Sequence, residues 1–490
     1  MKNTYPEPAS LIQSLSVKPS ETSPLKLRAA TEDGPSVSIE VQYYSEIGWS
    51  IEARYDLTFK DFQRQPFTGA QESLEQEKLI PKISDDQINL EAGGTSLSFS
   101  IQGGAFVLSE SNKDLFRSAA APFSVHKDSV TLFEDVISLK VTDMEQRMGS
   151  AREKKTYDSH MVRFQYPRPQ GTVLGLAGQA GEMNRNGYRF ELYNTDTVCL
   201  MLPDRRPLYQ SWPVLFHRSL DGNQWIAVFN DNPSRTFVDI GDFYSDQVTF
   251  ESTYNNSRVV LISAPSLAEV SQKLLRFLGG TCEVPEWALG YQQCRWSYMD
   301  SNEVRSVARR LRAENIPCDA IYYDIDHMDD FRVFTKEPNN FSDLAGCIED
   351  VRELGFKSVA IVDPGVKIDE DFNVYQAMKD VPCLKNQDGS DFEAIVWPGK
   401  SILPDFGSSQ TRDVWSDLER DWLQEFQFDG IWNDMNEPSN FDGQNRSTAQ
   451  AMNARGSHAI EHNLYGLWMA KASHQGWKKY KPEEKSLING

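Results

Sequence analysis

The sequence predicts two folds in succession: an antiparallel β-sandwich over residues 26–264, then the first half of a (β/α)8 barrel over residues 285–490. Three observations carry the prediction. Short runs of alternating polar and apolar residues, parted by Gly, Asn and Asp, fill the first stretch. After residue 285, runs apolar on both faces alternate with segments of helical period, the pattern of a parallel sheet with crossover helices. Carboxylates then recur at the C-terminal ends of those runs, where a (β/α)8 barrel builds its site.

Composition sets the bounds. A chain of 490 residues is too long for one ordinary domain. With 39% apolar and 11% aromatic residues it has material for large cores and reads as globular. The formal net charge of -21 repels phosphate backbones and anionic lipid, so no nucleic-acid partner and no membrane partner is expected. Cys199, Cys282, Cys294, Cys318, Cys347 and Cys383 are scattered without a CxxC pair, and buried reduced thiols are expected. The N-terminus lacks the apolar core of a signal peptide, and no run of about 18 apolar residues occurs. A cytoplasmic location follows as the simplest expectation.

Residues 1–25, rich in Ser and Pro, read as a loose leader. Ser36–Tyr44, Thr95–Ile101, Thr131–Phe133 and Met161–Tyr166 then read as strands of the sandwich. The segment 265–284 holds a linker helix, opened by Pro265-Ser266 and closed by Gly279-Gly280. Beyond it the expected barrel strands are Trp287–Cys294, Cys318–Ile325, Ser358–Val362 and Gly430–Trp432. Helices are expected over Ser301–Glu314, Leu344–Leu354, Thr411–Phe426 and His458–Tyr480. Four such units fit into about 205 residues, whereas a closed barrel has eight.

The carboxylates at these strand ends are Asp324 and Asp326, then Asp363, then Asp434. A doubly wound sheet also places ligands there, but it calls for a Gly-rich phosphate loop, and no G-x-G-x-x-G occurs. On a strand, Asp324 and Asp326 would share a face. One of the two could equally be a turn cap. An EF-hand starting at Asp324 fails, because its sixth and twelfth positions hold Asp329 and Thr335. A divalent metal on Asp324, Asp326 and Asp434 is a further use for the same oxygens. The neighbouring Trp296, Tyr298, Trp397, Trp432 and Phe441 argue for a neutral polyol ring instead, and the sequence gives no sign of a cofactor. His458 and His462 lack the H-E-x-x-H pattern and read as helix surface or packing, and no G-x-S-x-G elbow is present.

The most informative stretch is Asp429-Gly430-Ile431-Trp432-Asn433-Asp434-Met435-Asn436-Glu437-Pro438-Ser439-Asn440-Phe441. It resembles the nucleophile motif of glycoside hydrolase family 31, the α-glucosidases and their relatives. Trp287–Trp296, Ile316–Asp329 and Phe331–Thr335 fit the same family in the expected order, and Asn184–Tyr188 with Tyr193–Asp196 resembles a loop of its N-terminal domain. The resemblance implies a TIM-type barrel and a retaining mechanism on α-linked glucosyl oligosaccharides. Asp434 would be the nucleophile, and Asp324 and Asp196 would bind sugar hydroxyls. Trp296, Ile325, Trp397, Trp432, Met435 and Phe441 would line the subsite, with Asp326, Asp363 and Glu437 in support. The family's acid/base is an aspartate after a later Arg-containing strand, and no residue here resembles it. A polypeptide of these 490 residues is therefore expected to lack useful activity. An α-xylosidase, an α-transglucosylase or a non-catalytic carbohydrate-binding half site are the alternatives.

Overall fold

The computed structural model describes residues 10–18, 25–31, 37–55, 74–120, 122–140, 147–196, 207–253, 256–441 and 448–490. They fall into two compact units, Met1–Glu134 with Arg152–Thr281, and Asp135–Ala151 with Cys282–Gly490. Among the described residues, no helix is long and apolar enough to cross a membrane.

The first unit is built of antiparallel strands, because its sequence alternates at the period of a pleated ribbon. Val37–Tyr44 shows this plainly, burying Val37, Ile39, Val41 and Tyr43 while the residues between them are only partly covered. Thirteen strands join in one hydrogen-bonded series, and a five-stranded meander over Lys82–Arg117 stands apart from it. Within the stretch expected to be a loose leader, Ser10–Lys18 is a strand that pairs with both Leu25–Thr31 and Phe123–Lys140. One apolar core runs through the series and the meander. At its centre Phe106 lies 6.2 Å from Phe123 and 6.3 Å from Phe164, ring centre to ring centre. The helix expected near 265–284 is Leu267–Phe277, capped by Ser266, whose hydroxyl accepts the Glu269 N–H. Its apolar face joins this unit, with Phe277 edge-on to Tyr44 and Phe229.

In the second unit five parallel strands lie in the order in which the chain makes them: Gln292–Gln293, Ala320–Tyr323, Lys357–Val362, Gly430–Asn433 and Ile488–Asn489. The middle three are buried along nearly their whole length, as the continuous apolar runs required. Helices Ser301–Ala313, Leu344–Glu353, Ser409–Phe426 and Tyr465–Tyr480 follow successive strands. A core of Ile321, Tyr323, Ala360, Val362 and Ile431 with Trp415, Trp422 and Met469 seals strands to helices. This is the sheet of a β/α barrel seen over five strands.

Several expectations are corrected here. The sequence places the first strand at Trp287–Cys294, but Glu286–Leu289 is a 3-10 turn after Pro285, and only Gln292–Gln293 pairs. Four strands were expected, and Ile488–Asn489 adds a fifth beside Ile431 and Trp432. His458–Tyr480 is not one helix, since two 3-10 turns carry His458 and His462 into the interior before the helix starts at Tyr465. Cys318, Cys347 and Cys383 are buried thiols as expected, whereas Cys282 and Cys294 are exposed. Cys199 lies outside the described residues.

Candidate active site

The site forms where the parallel strands end. In the three middle strands the last apolar residue is followed by a polar one, since the ladder stops there and the chain turns toward solvent. Ala320–Tyr323 delivers Asp324, Lys357–Val362 delivers Asp363, and Gly430–Asn433 delivers Asp434. The ladder reaches one residue past the last strand named, with the Asp434 N–H donated to the Val362 carbonyl at 3.2 Å.

The electrostatics of these carboxylates differ. Asp324 is buried, and desolvation lifts its carboxyl to about 6, helped by the charges of Asp434 and Asp326. One oxygen accepts the Ile325 N–H at 2.7 Å, which opposes the rise and fixes the side chain. Asp363 is more extreme. Among the described residues neither of its oxygens has a hydrogen-bond partner, and burial drives its carboxyl well above the usual range, with Asp434, Asp324 and Glu437 pushing the same way. Glu437 is buried and accepts the Ser439 hydroxyl at 2.6 Å. Cys294 also lies near the group: although it is open to solvent, crowding by surrounding protein first, and then the charges of Asp324 and Asp434, raise its thiol to about 11.

Asp326 does not share a strand face with Asp324. The strand stops at Tyr323, Asp324 caps a 3-10 turn over Ile325–His327, and the period-two rule ends with the strand. Asp326 is raised by burial and then by Glu303. His327, fully buried in the same turn, is lowered to about 4 by desolvation and is therefore neutral.

Aromatic walls are held by backbone contacts. The hairpin of Glu393–Val396 and Gly399–Ile402 carries Trp397 in its turn. Asn440 and Phe441 clamp that hairpin to the loop after Asp434: the Ile395 N–H donates to the Asn440 side chain at 2.9 Å, and the Phe441 N–H to the Ile395 carbonyl at 2.7 Å. Trp397 thus sits edge-on to Phe441, with centres 5.2 Å apart, and 5.5 Å from Trp296 on the first strand's loop. Trp432 meets Tyr322 at 5.8 Å. Ile325, Met328 and Ile361 make an apolar floor that touches Trp397, Trp432 and Phe331. Met435 is buried with a left-handed backbone, φ 57°, uncommon for a side chain of its size.

Of the residues expected at the site, Asp324, Ile325, Asp363, Asp434, Glu437, Trp296, Trp397, Trp432, Met435 and Phe441 all belong to strand ends and loops of this one sheet. Asp196 belongs to the first unit, where burial raises it and a hydrogen bond with Tyr209 opposes the rise. Tyr298 is not a wall residue but part of the core. Phe331, Ile361, Met328 and Cys294 were missed. Phe331 and Met328 stand inside stretches quoted for their acidic residues, and only the folded turn reveals their apolar role. Among the described residues, no group of three His, Cys, Asp or Glu side chains is arranged to hold a metal ion.

Fold and site together define a β/α barrel with a rim of carboxylates and aromatic rings. Comparison with known proteins gives the family. The glycosyl hydrolases family 31 TIM-barrel domain matches residues 281–489, and the glycosyl hydrolase 31 N-terminal galactose mutarotase-like domain matches residues 38–239. The chain belongs to glycoside hydrolase family 31. It is 31% identical over 374 residues to alpha-glucosidase 2 of Bacillus thermoamyloliquefaciens, covering 74% of this chain and 46% of that protein. It is 32% identical over 373 residues to neutral alpha-glucosidase AB of Mus musculus, covering 68% and 38%. The chain thus spans less than half the length of either relative. Among solved structures, a mutant Flavobacterium johnsoniae GH31 dextranase complexed with isomaltotriose superposes with a TM-score of 0.77 at 21% identity, over 99% of this chain and 55% of that one. A family 31 alpha-glucosidase from Bacteroides thetaiotaomicron gives 0.59 at 32% identity, over 66% and 54%.

Proposed function

We propose that the second unit carries the nucleophile side of a retaining α-glucosidase site, with Asp434 as nucleophile. The observation that supports this most is the convergence of Asp324, Asp363 and Asp434 on one sheet edge, where burial and its neighbours' charges raise the Asp363 carboxyl. Burial and the neighbouring negative charges both favour the protonated form of Asp363. As the nucleophile, the carboxylate of Asp434 attacks the anomeric carbon of an α-linked glucosyl unit. The carbon–oxygen bond to the leaving group breaks, and a β-linked glucosyl ester forms on Asp434. Water then cleaves that ester with a second inversion, so the configuration is retained.

Asp324 serves as a hydroxyl anchor in this site. Trp296, Trp397, Trp432, Met435 and Phe441 supply the faces on which a pyranose ring rests. The acid/base carboxyl of such a site stands about 5–5.5 Å from the nucleophile. No residue of this chain is assigned to that role, so a polypeptide of these 490 residues forms the ester only with a leaving group that needs no protonation. Purified protein of this length should show no sustained turnover of an aryl α-glucoside. Steady hydrolysis through many turnovers would overturn this reading.

Capture of a fluorinated α-glucosyl fluoride, whose fluoride leaves unassisted, reports the first step alone. Its rate should rise as pH passes upward through about 6, the value to which burial lifts Asp324. An ionised carboxylate holds a sugar hydroxyl more strongly than a neutral one, a difference of about tenfold. Asp324→Asn should flatten the profile. A rate that falls over the same interval would assign Asp324 a proton-donating role instead.

A further inference from the structure

A second carboxyl lies behind the strand that carries Asp434, outside the site described above. Glu419 on the helix Ser409–Phe426 is fully buried, as are Ser473 on the helix Tyr465–Tyr480 and Asn433 at the strand's end. Ser473 Oγ lies 3.0 Å from Glu419 Oε1 and 3.1 Å from Asn433 Oδ1. A hydroxyl carries one hydrogen and can donate to only one of these oxygens. The other contact needs a proton from the partner, and the Asn433 carbonyl oxygen has none. A proton on Glu419 completes the chain: the carboxylic acid donates to Ser473, and Ser473 donates to Asn433.

Burial favours that state. It raises the Glu419 carboxyl to about 8, with only the Ser473 hydrogen bond opposing. Turning the Asn433 amide around would let its N–H donate to Ser473, but would leave Glu419 a buried anion with a single hydrogen bond, which desolvation strongly disfavours. Among the described residues Glu419 Oε2 and Asn433 Nδ2 have no partner, so Ser473 alone links the two side chains. The charged neighbours are engaged elsewhere: Arg420 pairs with Asp417 and Asp421 on the same helix, and Lys479 of the facing helix pairs with Asp417. The facing helix also leaves room for the carboxyl, since a Cβ on Gly476 would lie 2.6 Å from Glu419 Oε2.

We propose that Glu419 is a positioning residue, which donates as a neutral acid through Ser473 to Asn433 and thereby fixes the placement of Asp434. Successive residues of a strand point to opposite faces, so the anchor holds Asn433 from the helix side while Asp434 faces the rim. The backbone bond from Asp434 to Val362 is long, at 3.2 Å, and the side-chain anchor supplements it. The proposal rests on the reading of Asp434 as nucleophile.

Two readouts on the 490-residue chain test it: the rate of capture by the fluorinated α-glucosyl fluoride, and hydrogen exchange of the backbone over residues 430–434. Glu419→Leu and Ser473→Ala should slow capture roughly tenfold or more, as expected when a reacting group is displaced by about 1 Å, and should speed exchange. Glu419→Gln, whose amide donates from the same place, should be captured within about twofold of the parent's rate and should exchange no faster than the parent. If Glu419→Leu fails to fold, Ser473→Ala carries the comparison with Glu419→Gln. The proposal is overturned if the broken and conservative variants match, whether both are intact or both impaired. If the parent itself is not captured, the nucleophile reading fails, while exchange still decides whether the anchor exists.

Discussion

Asp434→Asn loses covalent capture by a fluorinated α-glucosyl fluoride by about a thousandfold or more, the scale seen when the attacking group of a catalytic unit is removed. The amide has nearly the same shape but no charge with which to form the ester. The fold should be spared, because Asp434 is only half-buried and its backbone N–H still reaches Val362. An unchanged melting temperature with lost capture is therefore expected. Removing one negative charge also relieves Asp363 and Asp324, both raised in part by Asp434, so their proton release should move to lower pH in this variant. Capture that persists undiminished would remove Asp434 from the chemistry.

Glu419→Gln makes the second unit more stable at alkaline pH, by up to about 5 kcal/mol. The folded carboxyl sits near 8 and its ordinary value is 4.5. A carboxyl raised by folding adds stability below its ordinary value, and that stability is lost as pH rises through the folded value. The parent protein should thus weaken steadily between about pH 4.5 and pH 8 and level off above, and the Gln variant should not. Near pH 4 the two should melt alike. Denaturant titrations across this range measure the difference, and parallel curves at every pH would mean that Glu419 is ionised in the folded state.

Much of the second unit was legible because its signals are local. Ala320-Ile321-Tyr322-Tyr323 and Lys357–Val362 are apolar on both faces, which only a sheet buried on both sides accommodates. The polar residue that ends each run then marked the rim. What escaped prediction depends on partners distant in sequence. Ile488–Asn489 is a two-residue strand whose only cause is the edge offered by Ile431 and Trp432. His458 and His462 keep helical spacing, yet burial against each other, with 3.1 Å between ring nitrogens, turns that stretch into 3-10 geometry. The Trp287–Cys294 run failed as a strand because Gly290 interrupts it and Pro285 opens a turn instead.

The site divides in the same way. Asp434, Trp397 and Phe441 could be singled out from the string, but the clamp between Ile395 and Asn440 that brings Trp397 to Phe441 joins residues 45 apart. The different extent to which Asp324 and Asp363 are raised is equally invisible, since both simply follow an apolar strand. The proton chain from Glu419 to Asn433 links two helices and a strand that no motif connects.

Mass spectrometry after treatment with a fluorinated α-glucosyl fluoride tests directly whether Asp434 is the group that attacks the sugar. The expected result is a single fluoroglucosyl adduct, found on the peptide containing Asp434 and absent from Asp434→Asn. An adduct on Asp324, Asp363 or Glu437, or a protein that binds a glucose-shaped iminosugar yet forms no adduct, would contradict it.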